Sequence, residues 1–170
     1  ADNIITLNED GTHTFAANQF GFADADAGQT LNAIRIDSLP AAGSLTLGGV
    51  AVTPGQIIPV ASIGNLVFTP APDANGINYA NFTFSVQDSA GAFDATPNSI
   101  QLNVTAVNDA PVAQSTNLTV AEDAAVITGN FIATDIDAGA ILTYAINVAA
   151  PAGFTFNANG SYSFDAGNAA

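Results

Sequence analysis

Several residue types are absent or nearly absent from this sequence of 170 residues. It contains no cysteine, lysine, methionine or tryptophan, and it has one arginine and one histidine against 15 acidic residues. Without cysteine, a disulfide framework, a Cys/His catalytic pair and a typical zinc cluster are excluded. The net charge of −14 argues against nucleic acid and anionic membranes as partners, because both attract positively charged proteins.

Long hydrophobic runs are also missing. No stretch of about 18 apolar residues, the length that spans a bilayer, occurs in the chain, which predicts that it does not insert into a membrane. The first ten residues, ADNIITLNED, have neither the basic nor the apolar region of a secretion signal. We therefore expect a fragment of a larger protein whose signal lies elsewhere.

Hydrophobic residues nevertheless make up 48% of the sequence, far more than in a disordered acidic tail. The chain is expected to fold. With Arg35 as the only strongly basic side chain, most of the carboxylates cannot be neutralised by ion pairs. Clustered carboxylates repel one another, so cations from solvent are their natural partners.

An internal repeat divides the chain. Asp24-Ala-Asp-Ala-Gly28 recurs as Asp135-Ile-Asp-Ala-Gly139, and Thr-Leu-Asn-Glu-Asp at 6–10 recurs as Thr-Val-Ala-Glu-Asp at 119–123. The first copy has an additional loop or hairpin at about 48–60. The second copy ends before the counterparts of two strand-like runs, 81–86 and 99–107, so its last strands are missing. We expect residues 112–170 to be completed by further sequence or by a neighbouring molecule, or to be poorly ordered alone.

Local patterns are those of β-strands. Residues 81–86, 99–104 and 154–156 alternate apolar and polar side chains, and Gly-Gly or Asn-Gly pairs separate such runs. No stretch has a convincing helical period. The predicted fold is all-β, with tandem antiparallel Greek-key β-sandwich modules of the cadherin or immunoglobulin type, the second of them incomplete.

The acidic residues form short clusters with the chemistry that calcium prefers. Calcium takes six to eight oxygen ligands from carboxylates, amide carbonyls and the backbone. Asp24 with Asp26, and Asp135 with Asp137, are spaced i and i+2 at the same place in both copies. Asp and Asn in loops most often cap turns, but the recurrence of the pair without basic partners favours an ion site.

The linker Val107-Asn-Asp-Ala-Pro-Val112, with Asp-x-Asp about 25 residues later, resembles cadherin-like repeats. It is more similar still to the bacterial cadherin-like and VCBS-type repeats of large, type I secreted RTX adhesins. Ser-Val-Gln-Asp88-Ser-Ala-Gly91 resembles the Asp-Gly motif at a strand end of those repeats, and Phe68-Thr-Pro70 through Gly76 resembles the stretch before their penultimate strands. The resemblance implies a cadherin-like repeat at 1–110, a linker at 111–116 and the first part of a VCBS-type repeat at 117–170.

In that family calcium lies at the junctions between modules. The resemblance implies an inter-module calcium ion bound by Glu9, Asp73, Asn108, Asp109, Asp135 and Asp137. A second junction, toward the N-terminus, would take Asp2, Asp24, Asp26 and Asp88.

The resulting functional hypothesis is a calcium-rigidified extender repeat of a secreted bacterial surface adhesin, acting outside the cell in adhesion or biofilm formation. Its partners would be neighbouring repeats of the same chain or neighbouring subunits. One alternative is a calcium-dependent module that binds carbohydrate or a copy of itself. Another is a subunit of an extracellular filament or sheath completed by strands from a neighbour.

An enzyme is not expected. His13 is the single histidine, and its strand-like surroundings predict a surface side chain. Arg35 and Asp37 are expected to form a surface ion pair or to remain solvated. The phenylalanines at 20, 22, 82 and 84 are expected in the core.

Overall fold

The computed structural model describes residues 1–168 of the chain. It divides into two compact units, unit 1 (Ala1–Val107) and unit 2 (Asn108–Ala170). The division lies three residues before the end of the predicted first repeat at 110. Each unit has its own sheets, and the fold is all-β with short 3₁₀ turns, as predicted from the strand patterns.

Unit 1 is a sandwich of two sheets. Its strands are β1 (Asn3–Asn8), β2 (His13–Thr14), β3 (Leu31–Ile36), β4 (Ser44–Leu47), β5 (Val50–Ala51), β6 (Ile57–Pro59), β7 (Leu66–Thr69), β8 (Gly76–Asp88) and β9 (Asn98–Thr105). One sheet has the order β1-β9-β8-β3-β6 and the other β2-β7-β4-β5. The loop or hairpin predicted at about 48–60 contains β5 and β6, which belong to different sheets.

The core of unit 1 lies between these sheets. Period-2 alternation places Phe82 and Phe84 of β8 beside Ile100 and Leu102 of β9, and all four side chains are fully buried. Phe68 of β7 faces them from the second sheet within the same core cluster. The core position predicted for Phe20 is also confirmed, whereas Phe22 is only partly buried.

One strand pair departs from the antiparallel pattern. β1 runs parallel to β9 over six residue pairs, from Asn3 opposite Ile100 to Asn8 opposite Thr105. The other strand pairs in the described chain are antiparallel. The first and last strands of unit 1 are therefore neighbours in one sheet.

Unit 2 repeats three of the four strands of one sheet of unit 1. Its strands are β10 (Val112–Ala113), β11 (Ile127–Asn130), β12 (Ala133–Thr134), β13 (Phe154–Phe156) and β14 (Ser161–Phe164). The order β11-β14-β13 matches β2-β7-β4. Phe154 lies opposite Phe164 just as Leu45 lies opposite Phe68.

The segment predicted as a linker, 111–116, is not wholly a linker. Val112 and Ala113 form β10, which pairs with β12 of the same unit. The backbone groups of Val112 and Ala113 therefore bond to a neighbouring strand and not only to water.

A recurring glycine accompanies the repeated sheet. Gly43 has φ +74°, and a Cβ there would lie 2.7 Å from the carbonyl oxygen of Thr69. Gly153 has φ +76° and approaches the carbonyl of Asp165, the counterpart of Thr69, still more closely. Each position requires glycine because both the left-handed backbone and the close approach exclude a side chain.

Candidate metal centre

Glu9 is the most buried of the predicted ligands. It follows β1, and its residue is 3% exposed. One carboxylate oxygen accepts a hydrogen bond from the Asn75 side-chain amide at 2.7 Å, and the other accepts one from the Val107 amide at 2.7 Å. The carboxylate therefore joins the start of unit 1 to its last residue.

These hydrogen bonds favour the charged form of Glu9. The Asn75 amide contributes most and the Val107 amide adds to it, so the pKa of Glu9 is lowered although burial opposes the shift. Arg35 is engaged elsewhere, with its Nε donating to Asp37 at 2.5 Å. Glu9 thus carries its negative charge without help from the one arginine of the chain.

Asp10 follows Glu9 in sequence, and Asp73 contacts Asp10. The Asp73 amide donates to an Asp10 carboxylate oxygen at 3.3 Å. Both residues have left-handed backbones, with φ values of 59° and 55°. Asp123, the counterpart of Asp10 in the repeat, has the same conformation with φ 58°, so the turn after the Glu-Asp pair recurs in unit 2.

Unit 2 orders its own predicted ligands. A carboxylate oxygen of Asp135 accepts a hydrogen bond from the Asp137 amide at 3.0 Å, and a carboxylate oxygen of Asp137 accepts one from the Asp109 amide at 2.8 Å. The Asn108 side-chain amide donates to the Asp109 carbonyl. These four predicted residues thus belong to one hydrogen-bonded set, in which Asp109, Asp135 and Asp137 are partly buried.

The first Asp-x-Asp pair folds in the same way. The Asp26 amide donates to a carboxylate oxygen of Asp24 at 2.8 Å, which is the bond made by Asp137 and Asp135. This Asx turn accounts for the first Asp of each pair, Asp24 and Asp135, whose carboxylates accept the bond. The Asp-x-Asp pair therefore has a structural role in each unit. An ion bound there would use a carboxylate that the turn already holds in position.

Asp24 and Asp88 line one cleft of about 290 Å³ in unit 1, together with Asp94. Sequence reasoning missed Asp94, although its position after the Asp-Ser-Ala-Gly stretch was a usable signal. Asp88 accepts a hydrogen bond from the Ala92 amide, and Asp94 accepts from the Thr96 amide and the Asn98 side chain. Both acids therefore order the loop between β8 and β9.

Asp2 and Asp26 do not line that cleft. The carboxylate of Asp2 accepts hydrogen bonds from the Ser99 amide at 2.8 Å and from the Ser99 hydroxyl at 3.0 Å. The bond from the Ser99 amide is the main cause of its lowered pKa. The cleft therefore contains two of the four acids predicted for the N-terminal junction, Asp24 and Asp88.

The three other polar side chains singled out from the sequence, His13, Arg35 and Asp37, are more enclosed than expected. His13 is partly buried, with its Nε2 3.2 Å from the Gln19 side-chain oxygen and its ring edge-on to Phe15. The Asp37 carboxylate accepts a hydrogen bond from the fully buried Ser85 hydroxyl at 2.6 Å as well as from Arg35. The guanidinium of Arg35 lies over the ring of Phe93 at 4.8 Å.

The donor set fits a hard cation. Carboxylates and amide oxygens gathered by hydrogen bonds and without basic partners are ligands for calcium or magnesium, and calcium tolerates an irregular shell of six to eight oxygens. Each carboxylate oxygen that accepts one hydrogen bond retains a second lone pair. The hydrogen bonds to Glu9 and Asp137 are therefore compatible with an ion on the same carboxylates.

The sheets and buried core of unit 1, together with the matching sheet of unit 2, define an immunoglobulin-like β-sandwich protein. A family model described as Bacterial Ig domain matches residues 108–170. The match supports a bacterial immunoglobulin-like or cadherin-like domain and points to a structural rather than a catalytic role.

Two known proteins are similar to this chain. Integrin beta-like protein E of Dictyostelium discoideum is 28% identical over 125 residues, which are 72% of this chain and 6% of that protein. The chain thus spans a small part of that relative's length. The crystal structure of murine CEACAM1b aligns with 94% of this chain and 80% of its own, at 16% identity and a TM-score of 0.29.

No helix within residues 1–168 is both long and apolar enough to cross a membrane.

Proposed function

We propose that this chain is an extracellular segment of an adhesion protein, in which calcium bound by the acidic residues stiffens successive immunoglobulin-like modules. The match of residues 108–170 to the Bacterial Ig domain family supports an adhesion-type module. The name of the integrin beta-like relative supports the same class. The resemblance of the linker and of the Asp-x-Asp pairs to RTX-adhesin repeats supplies the finer assignment to a bacterial surface adhesin.

The observation that carries the calcium proposal is the environment of Glu9. A nearly fully buried carboxylate, charged and without a basic partner, is bonded to the amide of Val107. Asp109 follows Val107 by two residues, which is a chain length of about 7 Å at most. A single ion bound by Glu9 and Asp109 would therefore have ligands from both sides of the boundary at Val107.

The ordered acids of unit 2 would complete such a shell. Asp137 binds the Asp109 amide, and Asp135 positions Asp137. Asp73 is held near Glu9 by its bond to Asp10, and Asn108 is next to Asp109. We assign the inter-module calcium to Glu9, Asp73, Asn108, Asp109, Asp135 and Asp137, and a second, N-terminal site to Asp24 and Asp88, joined by Asp94.

The mechanism follows from where the ligands lie in the sequence. A boundary of a few residues permits two modules to move independently, and an ion ligated from both sides would restrict that motion. Extracellular calcium modules have dissociation constants of about 10⁻⁴ to 10⁻³ M. The segment would stiffen at extracellular calcium concentrations and remain flexible in calcium-poor cytoplasm, which suits export before assembly on the bacterial surface.

A calcium titration of the full chain tests the proposal. Thermal unfolding and small-angle scattering are measured in chelator and from 10 µM to 10 mM calcium, on the concentration scale expected for extracellular sites (about 10⁻⁴ to 10⁻³ M). As calcium saturates its sites, we expect the melting temperature to rise. We also expect the pair-distance distribution from scattering to become narrower. An unchanged melting temperature together with an unchanged scattering profile would show that calcium does not have this role.

The carbohydrate-binding alternative has less support. Sugar recognition by stacking needs aromatic side chains on the surface, and every phenylalanine and tyrosine in the described chain is at least partly buried. The third possibility is a subunit of an extracellular filament or sheath, in which a neighbour supplies strands to unit 2. It depends on the apolar surface of that unit.

A further inference from the structure

Unit 2 has an apolar groove of about 370 Å³ on one face. The groove is lined by Leu118, Val120, Pro151, Phe154 and Phe164. Leu118 is 41% exposed, and within residues 108–168 no hydrophobic side chain reaches the burial of the unit 1 core.

The internal repeat matches two residues of this groove, Leu118 and Phe164, with buried core positions of unit 1. The offset of 113 residues matches Leu118 with Ile5, which is 7% exposed. The equivalent strand pairing matches Phe164 with Phe68, which is fully buried. The same kind of side chain is therefore covered in unit 1 and uncovered in unit 2.

In unit 1 the cover is the strand pair β8 and β9. Phe82 and Phe84 of β8, with Ile100 and Leu102 of β9, are fully buried in one cluster with Ile5 and Phe68. Unit 2 repeats the sheet β2-β7-β4 as β11-β14-β13, but the described chain has no counterpart of β8 and β9 there. Of the matched unit 1 positions, Phe68 faces these two strands from the second sheet, and Ile5 lies beside β9 in the same sheet.

The backbone beside the groove shows the same difference. In unit 1, β1 pairs with β9 and β3 pairs with β8. Their counterparts by the repeat offset, residues 116–121 and 142–147, form no strand. Non-strand backbone is thus found at the two segments whose partners would be a second β8 and β9. In the second segment the Tyr144 amide donates to the Ala158 carbonyl, and backbone that is outside a ladder favours strand addition.

We propose that unit 2 binds, in this groove, an antiparallel pair of β-strands with the alternating apolar pattern of β8 and β9. Binding converts residues 116–121 into a strand parallel to one member and residues 142–147 into a strand antiparallel to the other. The apolar side chains of the added pair fill the groove. A second copy of this chain does not supply the pair from unit 1, because its own β8 and β9 are inner strands of a five-stranded sheet.

A graft of unit 1's own strand pair tests the proposal. A second copy of residues 75–105 is appended after residue 170 of the full chain. Its first residue then follows Phe164 by seven positions, the same spacing that separates Asn75 from Phe68. The readout is amide hydrogen exchange at 116–121 and 142–147, measured in chelator so that calcium binding has no part in the outcome.

We expect exchange at both segments to slow on the order of 100-fold in the grafted chain, because open backbone becomes part of a cooperative sheet. The control graft carries serine at the four positions that copy Phe82, Phe84, Ile100 and Leu102, and is expected to give no slowing. In the active graft, Leu118→Asp should abolish the protection. Ile141→Asp should preserve it, because Ile141 is 92% exposed and does not line the groove.

Three results would overturn the proposal. One is equal exchange in the ungrafted chain and in the active graft. Another is protection of both segments in the ungrafted chain that grows with protein concentration, since a second copy would then cover the groove. Protection by the serine-substituted graft equal to that by the active graft would also contradict it, because the apolar side chains would then be irrelevant.

Discussion

The carboxylate of Glu9 accepts a hydrogen bond from the backbone amide of Val107 at 2.7 Å, across 98 residues of sequence. This bond fixes the end of the chain segment that leaves β9. The same carboxylate binds the Asn75 side chain, so one buried acid organises three separate parts of unit 1. An acid so placed affects both the stability of the unit and any ion bound near its last residue.

The stability of unit 1 is expected to decrease in acid because of Glu9 and Asp2. Hydrogen bonds from Asn75 and Val107 lower the pKa of Glu9, and bonds from Ser99 lower the pKa of Asp2. Their contribution is fully present above the ordinary pKa values of 4.5 and 3.8, and is lost as pH falls through the lowered ones. Urea unfolding in chelator between pH 7 and pH 2.5 should show this loss.

The matched variants for this pH effect are Glu9→Gln and Glu122→Gln. Glu122 is the repeat counterpart of Glu9 but is exposed. Glu9→Gln should lower the urea midpoint of unit 1 at pH 7 and flatten its acid dependence, whereas Glu122→Gln should leave both unchanged. An identical pH profile in wild type and Glu9→Gln would show that Glu9 does not contribute.

Calcium affinity should depend on the charge of Asp137 and not only on its hydrogen bond. Asp137→Asn can keep an oxygen acceptor for the Asp109 amide but removes the negative charge. We expect weaker calcium binding by on the order of tenfold, because calcium affinity follows the number of charged ligands. Isothermal titration measures the change.

The control for this affinity change is Asp165→Asn, which removes the same charge from unit 2. Asp165 bonds to Gly167 and Asn168 and is outside the assigned ligands. Its substitution should leave calcium affinity near that of wild type. Equal losses in both variants would mean that net charge, rather than a specific site, determines binding.

Two equivalent phenylalanines should differ in their importance for stability. Phe68→Ala removes a fully buried ring from the core of unit 1 and should cost about 3–5 kcal/mol of unfolding free energy. Phe164→Ala removes a partly exposed ring and should cost less than half as much. Denaturant unfolding followed by amide hydrogen exchange in each unit separates the two effects. Equal losses of unfolding free energy in the two variants would contradict an uncovered face in unit 2.

The Arg35 network should contribute more than an exposed ion pair. Arg35→Met leaves the Asp37 carboxylate without its charged partner while Asp37 still accepts from buried Ser85. We expect a loss of about 1–3 kcal/mol from unit 1. Asp37→Asn and the variant with both substitutions complete a double-mutant cycle with Arg35→Met. A coupling energy near zero would show that Arg35 and Asp37 act independently.

Much of the fold could be predicted because the strands are encoded locally. Alternation at 81–86 and 99–104 predicted segments of β8 and β9, and Gly48-Gly49 marked the β4–β5 hairpin. The parallel pairing of β1 with β9 was not predicted. It joins residues almost 100 positions apart, and no local pattern distinguishes a parallel partner from an antiparallel one.

The candidate site was predictable where the repeat marked it. Both Asp-x-Asp pairs fold into the same turn, with Asp24 and Asp135 as acceptors. Distant pairing could not be read in this way: Asp2 binds Ser99, 97 residues away, and Asp94 reaches the cleft of Asp24 through the loop after β8. The repeat gives no information there because the second copy does not contain these strands.

The pairing of the first strand of unit 1 with its last strand has a mechanical consequence. Since β1 and β9 are parallel, the chain enters the ladder at Asn3 and leaves it at Thr105, at opposite ends of the same pair. Tension applied through the two ends of unit 1 pulls these strands in opposite directions along their own axes. The backbone bonds between them then share the force in shear, so that the strands resist together instead of separating one bond at a time.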